Sequence, residues 1–390
     1  MRDVLTANRV TEMSQARIPA IFMRGGSSKG VFFHDRDLPP LGPERDALFL
    51  SVIGSPDPYG RQLNGMGGGV SSLSKAVAIA PPSRDDADLD YIFAQVAVGQ
   101  PVVDYSANCG NLSSAVGPFA IDYGVLDANG GDTHLVRIHN TNTSKIIHAH
   151  VPVEDGRHKV EGDFSIPGVA GSGARIRLDF VDPGGAATGR LLPTGNVTDT
   201  ISLGSDGEFE VSIVDASAGC VFVAAERLGL TGAESVADLE ARGDLMAMLD
   251  RLRRAAGVTM GLAETADAVP PGTPKLGIVA PPHPYLTLAN EEVVADRADI
   301  AARMLSMGQI HRVLPLTGAL CLAVACRVPG TICNALTGGG DGDLRLANPS
   351  GVLPVDALVE AEQGGPVARS VTAYRTARAL MEGHVLVPGA

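Results

Sequence analysis

Apolar runs at Ile18–Met23 and Val31–Phe33 flank the polar, glycine-rich Arg24–Gly30, a pattern that predicts strand, tight turn, strand. From Pro43 to Ile53 the spacing of Leu48, Leu50, Val52 and Ile53 predicts a short helix, stopped by Gly54-Ser55-Pro56-Asp57-Pro58. Leu89–Val98 alternates as a strand with Tyr91, Phe93 and Gln95 on one face, and Val102–Tyr105 is a second, short strand. Leu135 to Phe180 is β-rich, with alternation clearest over Leu135–His139 and Lys145–Val153. Further on, Glu208–Val214, Cys220–Ala224 and Lys275–Ala280 read as strands, and Val236–Ala256 as an amphipathic helix with Val236, Leu239, Leu245, Leu249 and Leu252 inward. Glu291–Met307 reads as another helix, burying Val293, Ile300 and Met304. The last apolar helix, Ala319–Cys326, is entered through His311–Gly318.

Two stretches carry chemistry. In Gly65–Ile79, four glycines in five residues precede Ser71, Ser72, Ser74 and Lys75, and the apolar Ala76–Ala80 then carries the chain inward. Clustered glycine is entropically costly and marks a sharp turn or a close approach of backbone, while a lysine at the mouth of a buried element is desolvated toward use as a base. In Ser106–Ala120, Asn108 is a good N-cap, and Leu112, Ala115, Val116 and Phe119 recur at helical spacing. Cys109 is thereby expected in the first turn of a buried helix, where free amides also suit a carboxylate. The segment around Thr317-Gly318 repeats the theme of strands, small-residue turn and buried helix. Two such halves facing one another would bring two helix N-termini to one cleft, a setting for a polycarboxylate.

Length and composition narrow the choices. A chain of 390 residues suits two domains, with the passage between them near Asp182–Gly185. A net charge of -13, 4% aromatics and no Trp make nucleic acid an unsuitable partner. The polar Met1–Pro19 has no signal-peptide core, and Val313–Cys326 is too short and too broken to span a bilayer. Five cysteines without CxxC spacing fit a reducing cytoplasm. His148 and His150 share a strand face without a third ligand at a recognisable spacing, so hydrogen-bonded strand histidines are expected and no metal. Arg24–Gly30 departs from a phosphate loop because Val31 follows Gly30, and Gly65–Val70 lacks the third glycine of a dinucleotide fingerprint.

Met23–Gly30, Gly54–Pro58, Asn64–Gly68, Ser74-Lys75 and Asn108–Asn111 resemble the signature blocks of the PrpF family. The resemblance continues through Leu192–Asn196, Thr273–Lys275, Leu305–Gly308, Pro349–Gly351 and Arg375–Arg378, and so covers nearly the whole chain. It implies an α+β fold of two similar diaminopimelate-epimerase-like domains, residues 1–183 (joined by 376–390) and 184–375. Each would wrap a curved sheet around a central helix, with the active site in the cleft between them. It implies a cofactor-independent isomerase, cis-trans or allylic, acting on an unsaturated di- or tricarboxylate, with no metal. Lys75 and Cys109 match the catalytic pair; Arg24, Ser28, Asn108, Gly110, Asn111, Lys275, Ser306, Met307, Thr317 and Gly318 match substrate-binding positions. Thr317-Gly318 stands where related epimerases carry a second cysteine, which argues against a two-thiol racemase. Val52–Tyr59, Val103–Ser113 and Val279–Pro282 look closest to the 2-methylaconitate branch, with 4-oxalomesaconate tautomerase and 3-methylitaconate isomerase as alternatives. A non-catalytic accessory protein to a methylcitrate dehydratase is the alternative of another class. The partner expectations are a small-molecule carboxylate, a homodimer and a functional link to that dehydratase.

Overall fold

The computed structural model describes residues 15–106, 108–128, 130–337 and 342–388. The polar stretch ahead of Gln15, on which most of the signal-peptide argument rests, lies outside the described residues. The first half of the chain contributes β1 (Gln15–Gly25), β2 (Ser28–His34), α1 (Pro43–Ile53), β3 (Lys75–Ala80), β4 (Leu89–Val96), α2 (Ser113–Asp122), β5 (Thr133–Asn140), β6 (Lys145–Glu154) and β7 (Ile176–Val181). The second contributes β8 (Asp199–Ser202), β9 (Glu208–Ala216), β10 (Ala218–Ala224), α3 (Val236–Glu240), α4 (Gly243–Thr259), β11 (Lys275–Ala280), β12 (Ile300–Ser306), α5 (Leu316–Arg327) and α6 (Ile332–Thr337). It continues with β13 (Leu344–Asn348), β14 (Gly351–Glu362) and β15 (Gly365–Arg375), and the chain returns to the first half as β16 (Ala377–Pro388).

The pairing senses repeat. In the first half β16–β1 and β1–β2 are antiparallel, β2–β3 parallel, β3–β4 antiparallel, β4–β5 parallel, and β5–β6 and β6–β7 antiparallel. The second half runs through the same order of senses from β8–β9 to β14–β15, with its parallel junctions at β10–β11 and β12–β13. Antiparallel pairing of β7 with β15 joins the two ladders. The repeat suspected from the sequence is therefore a repeat of topology.

Each half is a sheet curved around one apolar helix. α2 is buried from Ser113 to Ile121 among Phe32, Val77, Val136, Ile147 and Leu178, and α5 from Gly318 to Cys326 among Val214, Phe222, Met304, Val355 and Val371. These helices are apolar on every side because sheet surrounds them, so neither shows a polar stripe. Alternate strand residues face outward onto covering helices: Val31, Phe33 and Ala76 meet Phe49, Val52 and Ile53 of α1, while Val221, Val223 and Ile278 meet Leu245, Leu249 and Leu252 of α4. The architecture is the α+β one expected, and among the described residues no helix is long and apolar enough to cross a membrane.

Two elements of the second half differ from expectation. The helix read over 236–256 is two helices, α3, closed at its start by a Ser235–Asp238 capping box, and α4, which begins again at Gly243; the inward leucines are buried as read. The stretch read as a helix over Glu291–Met307 is strand β12, preceded by a 3-10 turn over Ala295–Arg297. Every residue of β12 is buried because β11 and β13 flank it and α5 lies on one face. A strand enclosed in this way loses its alternation, and its apolar run then has no period to separate it from a buried helix.

Candidate functional site

The turn between β1 and β2 sets the geometry. A Cβ on Gly25 would lie 2.7 Å from the Asn111 carbonyl oxygen, and one on Gly26, at φ +53°, would lie 2.4 Å from Asn111 Oδ1. Only glycine lets this turn seat itself on the residues that lead into α2. Arg24 Nη1 donates to the carbonyls of Gly26 (3.0 Å) and Thr376 (2.8 Å), bracing the turn against β16. Burial, reinforced by Arg378, pulls Arg24 below the usual guanidinium range. Ser28 is buried and pairs in register with Gly25 at the end of this hairpin.

The glycine cluster does not form an open cradle. A Cβ on Gly65 would lie 2.3 Å from Gly54 N, and one on Gly67 2.3 Å from Gln62 Oε1, so these glycines allow close packing against the C-terminal end of α1. Gln62 is the knot of this loop: its Nε2 donates to Ser55 Oγ (2.8 Å), and its Oε1 accepts from Gly69 N (2.8 Å) and Ser74 Oγ (2.7 Å). The loop thus fixes the residue just before Lys75.

Lys75 opens β3 and is 7% exposed. Its Nζ donates to Gln95 Oε1 at 2.7 Å and stands 4.9 Å from the centre of the Phe93 ring. Gln95 cannot present its amide the other way, because its Nε2 donates to the carbonyls of Ser71 and Ser74, each at 3.0 Å. A buried ammonium ordinarily takes a carboxylate partner; among the described residues Lys75 has a neutral amide and an aromatic face instead. Sequence reasoning placed Gln95 on the strand face without assigning it to the site. Only the β3–β4 register, which sets Lys75 opposite Gln95, brings it there.

Phe93 and Cys109 belong to one apolar cluster. Cys109 is buried, and the Tyr91 hydroxyl reaches its carbonyl at 3.4 Å. The helix starts later than the sequence suggests: Asn108 is not its N-cap, and regular α2 begins at Ser113. Cys109 instead supplies the carbonyl that accepts from Ser113 N at 2.9 Å. The Gly110–Leu112 entry is tightened by bonds from Ser114 N to Asn111 O (3.2 Å) and from Ala115 N to Leu112 O (2.9 Å). Cys109 therefore stands at the mouth of the helix, and Asn108 Oδ1 lies 3.3 Å from Ser113 Oγ.

The second half meets this turn at the N-terminus of α5. A Cβ on Gly110 would lie 2.6 Å from Leu316 Cδ2, so the entries of both central helices converge with their free amides on one region, which favours anions. A cavity of about 300 Å³ there is lined by Asn108, Gly110, Phe180, Leu316 and Thr317. A second of about 200 Å³ lies against Ser27, Asn111, Pro315, Leu316 and Arg375. Gly318 is held close to Met304, where a Cβ would lie 2.2 Å from Sδ. Lys275 opens β11 as Lys75 opens β3, and its Cδ lies 3.5 Å from where a Gly318 Cβ would stand. Burial, aided by Lys275, lowers the His311 imidazole below its ordinary range. Ser306 is buried at the end of β12, whereas Met307 is 66% exposed in the turn that follows, at φ 54°. His150 is hydrogen-bonded to Asp179 at 3.0 Å, and among the described residues no group of His, Cys, Asp and Glu could hold a metal ion.

The model of the PrpF protein family matches residues 15–388. The chain belongs to the PrpF family. A 2-methyl-aconitate isomerase of Cupriavidus necator is 40% identical, over 97% of this chain and 99% of that one. A 3-methylitaconate isomerase of Eubacterium barkeri is 42% identical, over 96% of this chain and 98% of that one. Among solved structures, a methylitaconate-delta-isomerase superposes with a TM-score of 0.89 at 40% identity, covering 96% of each chain. The PrpF match spans both halves, so the converging helices and both lysines lie within it.

Proposed function

We propose that the protein is a cofactor-independent isomerase that shifts a proton, and with it a double bond or its geometry, in an unsaturated di- or tricarboxylate, with 2-methylaconitate the first candidate. The observation that carries this is Lys75: a buried amine on a neutral amide, 4.9 Å from the Phe93 ring, in the half whose helix entry meets that of α5. As the free amine, Lys75 removes a proton from the carbon next to the conjugated system. The C–H electron pair moves into the double bond and on to a carboxylate, giving a dienolate. Rotation about the former double bond and return of the proton to the same carbon inverts the geometry; return to the other end of the system moves the double bond. Cys109 is either the opposing acid or a wall of the site. Amides at 109–111 and 317–319 hold carboxylates and the charge that develops on them, while Arg24, Ser28, Lys275, Ser306 and Met307 shape the pocket.

Identities of 40% and 42% to relatives of different names do not separate the substrates, so the test is direct. Proton NMR in heavy water with trans-aconitate, 2-methylaconitate, 3-methylitaconate and 4-oxalomesaconate should show deuterium entering an allylic position of one of them as its double bond moves or inverts. Lys75→Ala should abolish that exchange in protein that remains folded; retained turnover would remove Lys75 from its role. Exchange with none of the panel would favour a substrate outside it or an accessory role beside a methylcitrate dehydratase. A homodimer, a link to that dehydratase and a cytoplasmic setting, which suits five free cysteines, complete the reading. Sedimentation and a coupled assay test the first two.

A further inference from the structure

Among the described residues four arginines are nearly devoid of solvent contact, and three of them have an acid nearby. Arg45 pairs with Asp35 at 2.7 Å and Arg253 with Asp250 at 2.9 Å; Arg303 lies 5.3 Å from the Tyr285 ring with Glu234 nearby. Arg375 is the exception. It ends β15, is 6% exposed, and donates from Nε to Asn111 Oδ1 (3.0 Å) and from Nη1 to the Tyr374 carbonyl (2.8 Å). Both acceptors are neutral. Among the described residues no carboxylate pairs with the guanidinium and Nη2 has no acceptor. Burial brings it down to about 10.

A guanidinium kept buried without a counter-ion is costly unless an anion completes it, and a planar fork is suited to a carboxylate. Arg375 also lines the cavity of about 200 Å³ shared with Ser27, Asn111, Pro315 and Leu316. There it meets the first turn of α5, whose Leu316, Thr317 and Gly318 amides precede the first intrahelical bond, from Ala319 N to Pro315 O. We propose that Arg375 and the first turn of α5 form a carboxylate subsite, which holds the substrate carboxylate remote from the proton that moves. This rests on the isomerase reading above and adds to it the requirement for a further carboxylate. Arg375 would select for charge number while Lys75 moves the proton.

The test is binding without turnover. Titration calorimetry would compare tricarballylate, a saturated tricarboxylate, with glutarate and methylsuccinate, each lacking one of its carboxylates, on wild type, Arg375→Gln, Arg375→Lys and Lys75→Ala. The expected result is that Arg375→Gln weakens tricarballylate by about tenfold or more and leaves one of the two dicarboxylates unchanged, while Lys75→Ala still binds tricarballylate. Unchanged affinity for tricarballylate in Arg375→Gln would overturn the subsite, and so would an equal loss for all three ligands, the signature of a merely structural arginine. Should the Gln variant not fold, Arg375→Lys decides in the same way, with a loss of about threefold or more confined to tricarballylate expected from the missing fork. If this pattern holds while wild type exchanges no proton in any substrate, the isomerase reading fails and the subsite stands.

Discussion

Lys75 and Gln95 face one another across β3 and β4, and the chemistry of the pair depends on the amide being neutral and fixed. Its Nε2 is committed to the Ser71 and Ser74 carbonyls, so its oxygen must face Nζ. Gln95→Glu would place a negative charge where the amide oxygen stands, about 2.7 Å from Nζ. An adjacent carboxylate favours the ammonium, so the free amine would appear only at higher pH. The pH at which kcat/KM reaches half its maximum should rise by about one unit or more. Gln95→Ala should lower kcat without that displacement. A pH profile of both variants checks the assignment, and an unmoved profile in Gln95→Glu would remove Gln95 from the tuning of Lys75. Lys75 itself was legible in the sequence, as a lone cation between a glycine cluster and an apolar run. Gln95 and Arg375 were not, since neither stands out from its neighbours until strand register and the fold supply its partners.

At the scale of elements, the β1–β2 turn and the entries to α2 and α5 form one contact. Gly25→Ala would set a methyl group 2.7 Å from the Asn111 carbonyl oxygen, a backbone atom that cannot turn aside. The variant should lose about 1–3 kcal/mol of stability, read as a lower midpoint in urea, together with activity. At Gly110 the obstructing atom is Leu316 Cδ2, at the end of a flexible side chain. Gly110→Ala should therefore cost less stability than Gly25→Ala while disturbing the meeting of the two helix entries. Denaturation and ligand titration of the two variants side by side would separate these effects. The sequence showed helices α2 and α5 through their small and apolar residues. It misread β12 and the start of α2, because one has neighbours on both edges and the other begins with a tightened turn, and neither condition is local.

Across the whole molecule, β7 and β15 tie the two ladders together, and Asp179 lies at that seam. Burial pushes its carboxyl up, but hydrogen bonds from His150, Thr372 and Arg177 outweigh this and hold it below the usual carboxylate range. A depressed carboxyl stabilises the fold at pH above its unfolded value and loses that contribution as pH falls through its folded one. Asp179→Asn should thus be less stable than wild type at neutral pH by roughly 1–3 kcal/mol, with the difference shrinking toward pH 3. Urea unfolding at a series of pH values measures it; a difference independent of pH would mean that the carboxylate charge is not what secures the seam.

The sequence by itself determined which residues turn, which are apolar and where isolated cations enter apolar runs, because these follow from local conformational freedom and from the cost of burying charge. That was sufficient for the hairpin at Gly26, the helix at Pro43–Ile53, the apolar cores of α2 and α5 and the prominence of Lys75 and Cys109. Only the tertiary structure decided that the two halves share one order of strand senses, that β11, opened by Lys275, holds the place in it that β3, opened by Lys75, holds in the first half, and that Arg375 comes within hydrogen-bonding distance of Asn111. Those relations join residues some two hundred positions apart or more, and no local preference encodes them. They arise when sheets close around α2 and α5 and leave the two helix entries facing one another.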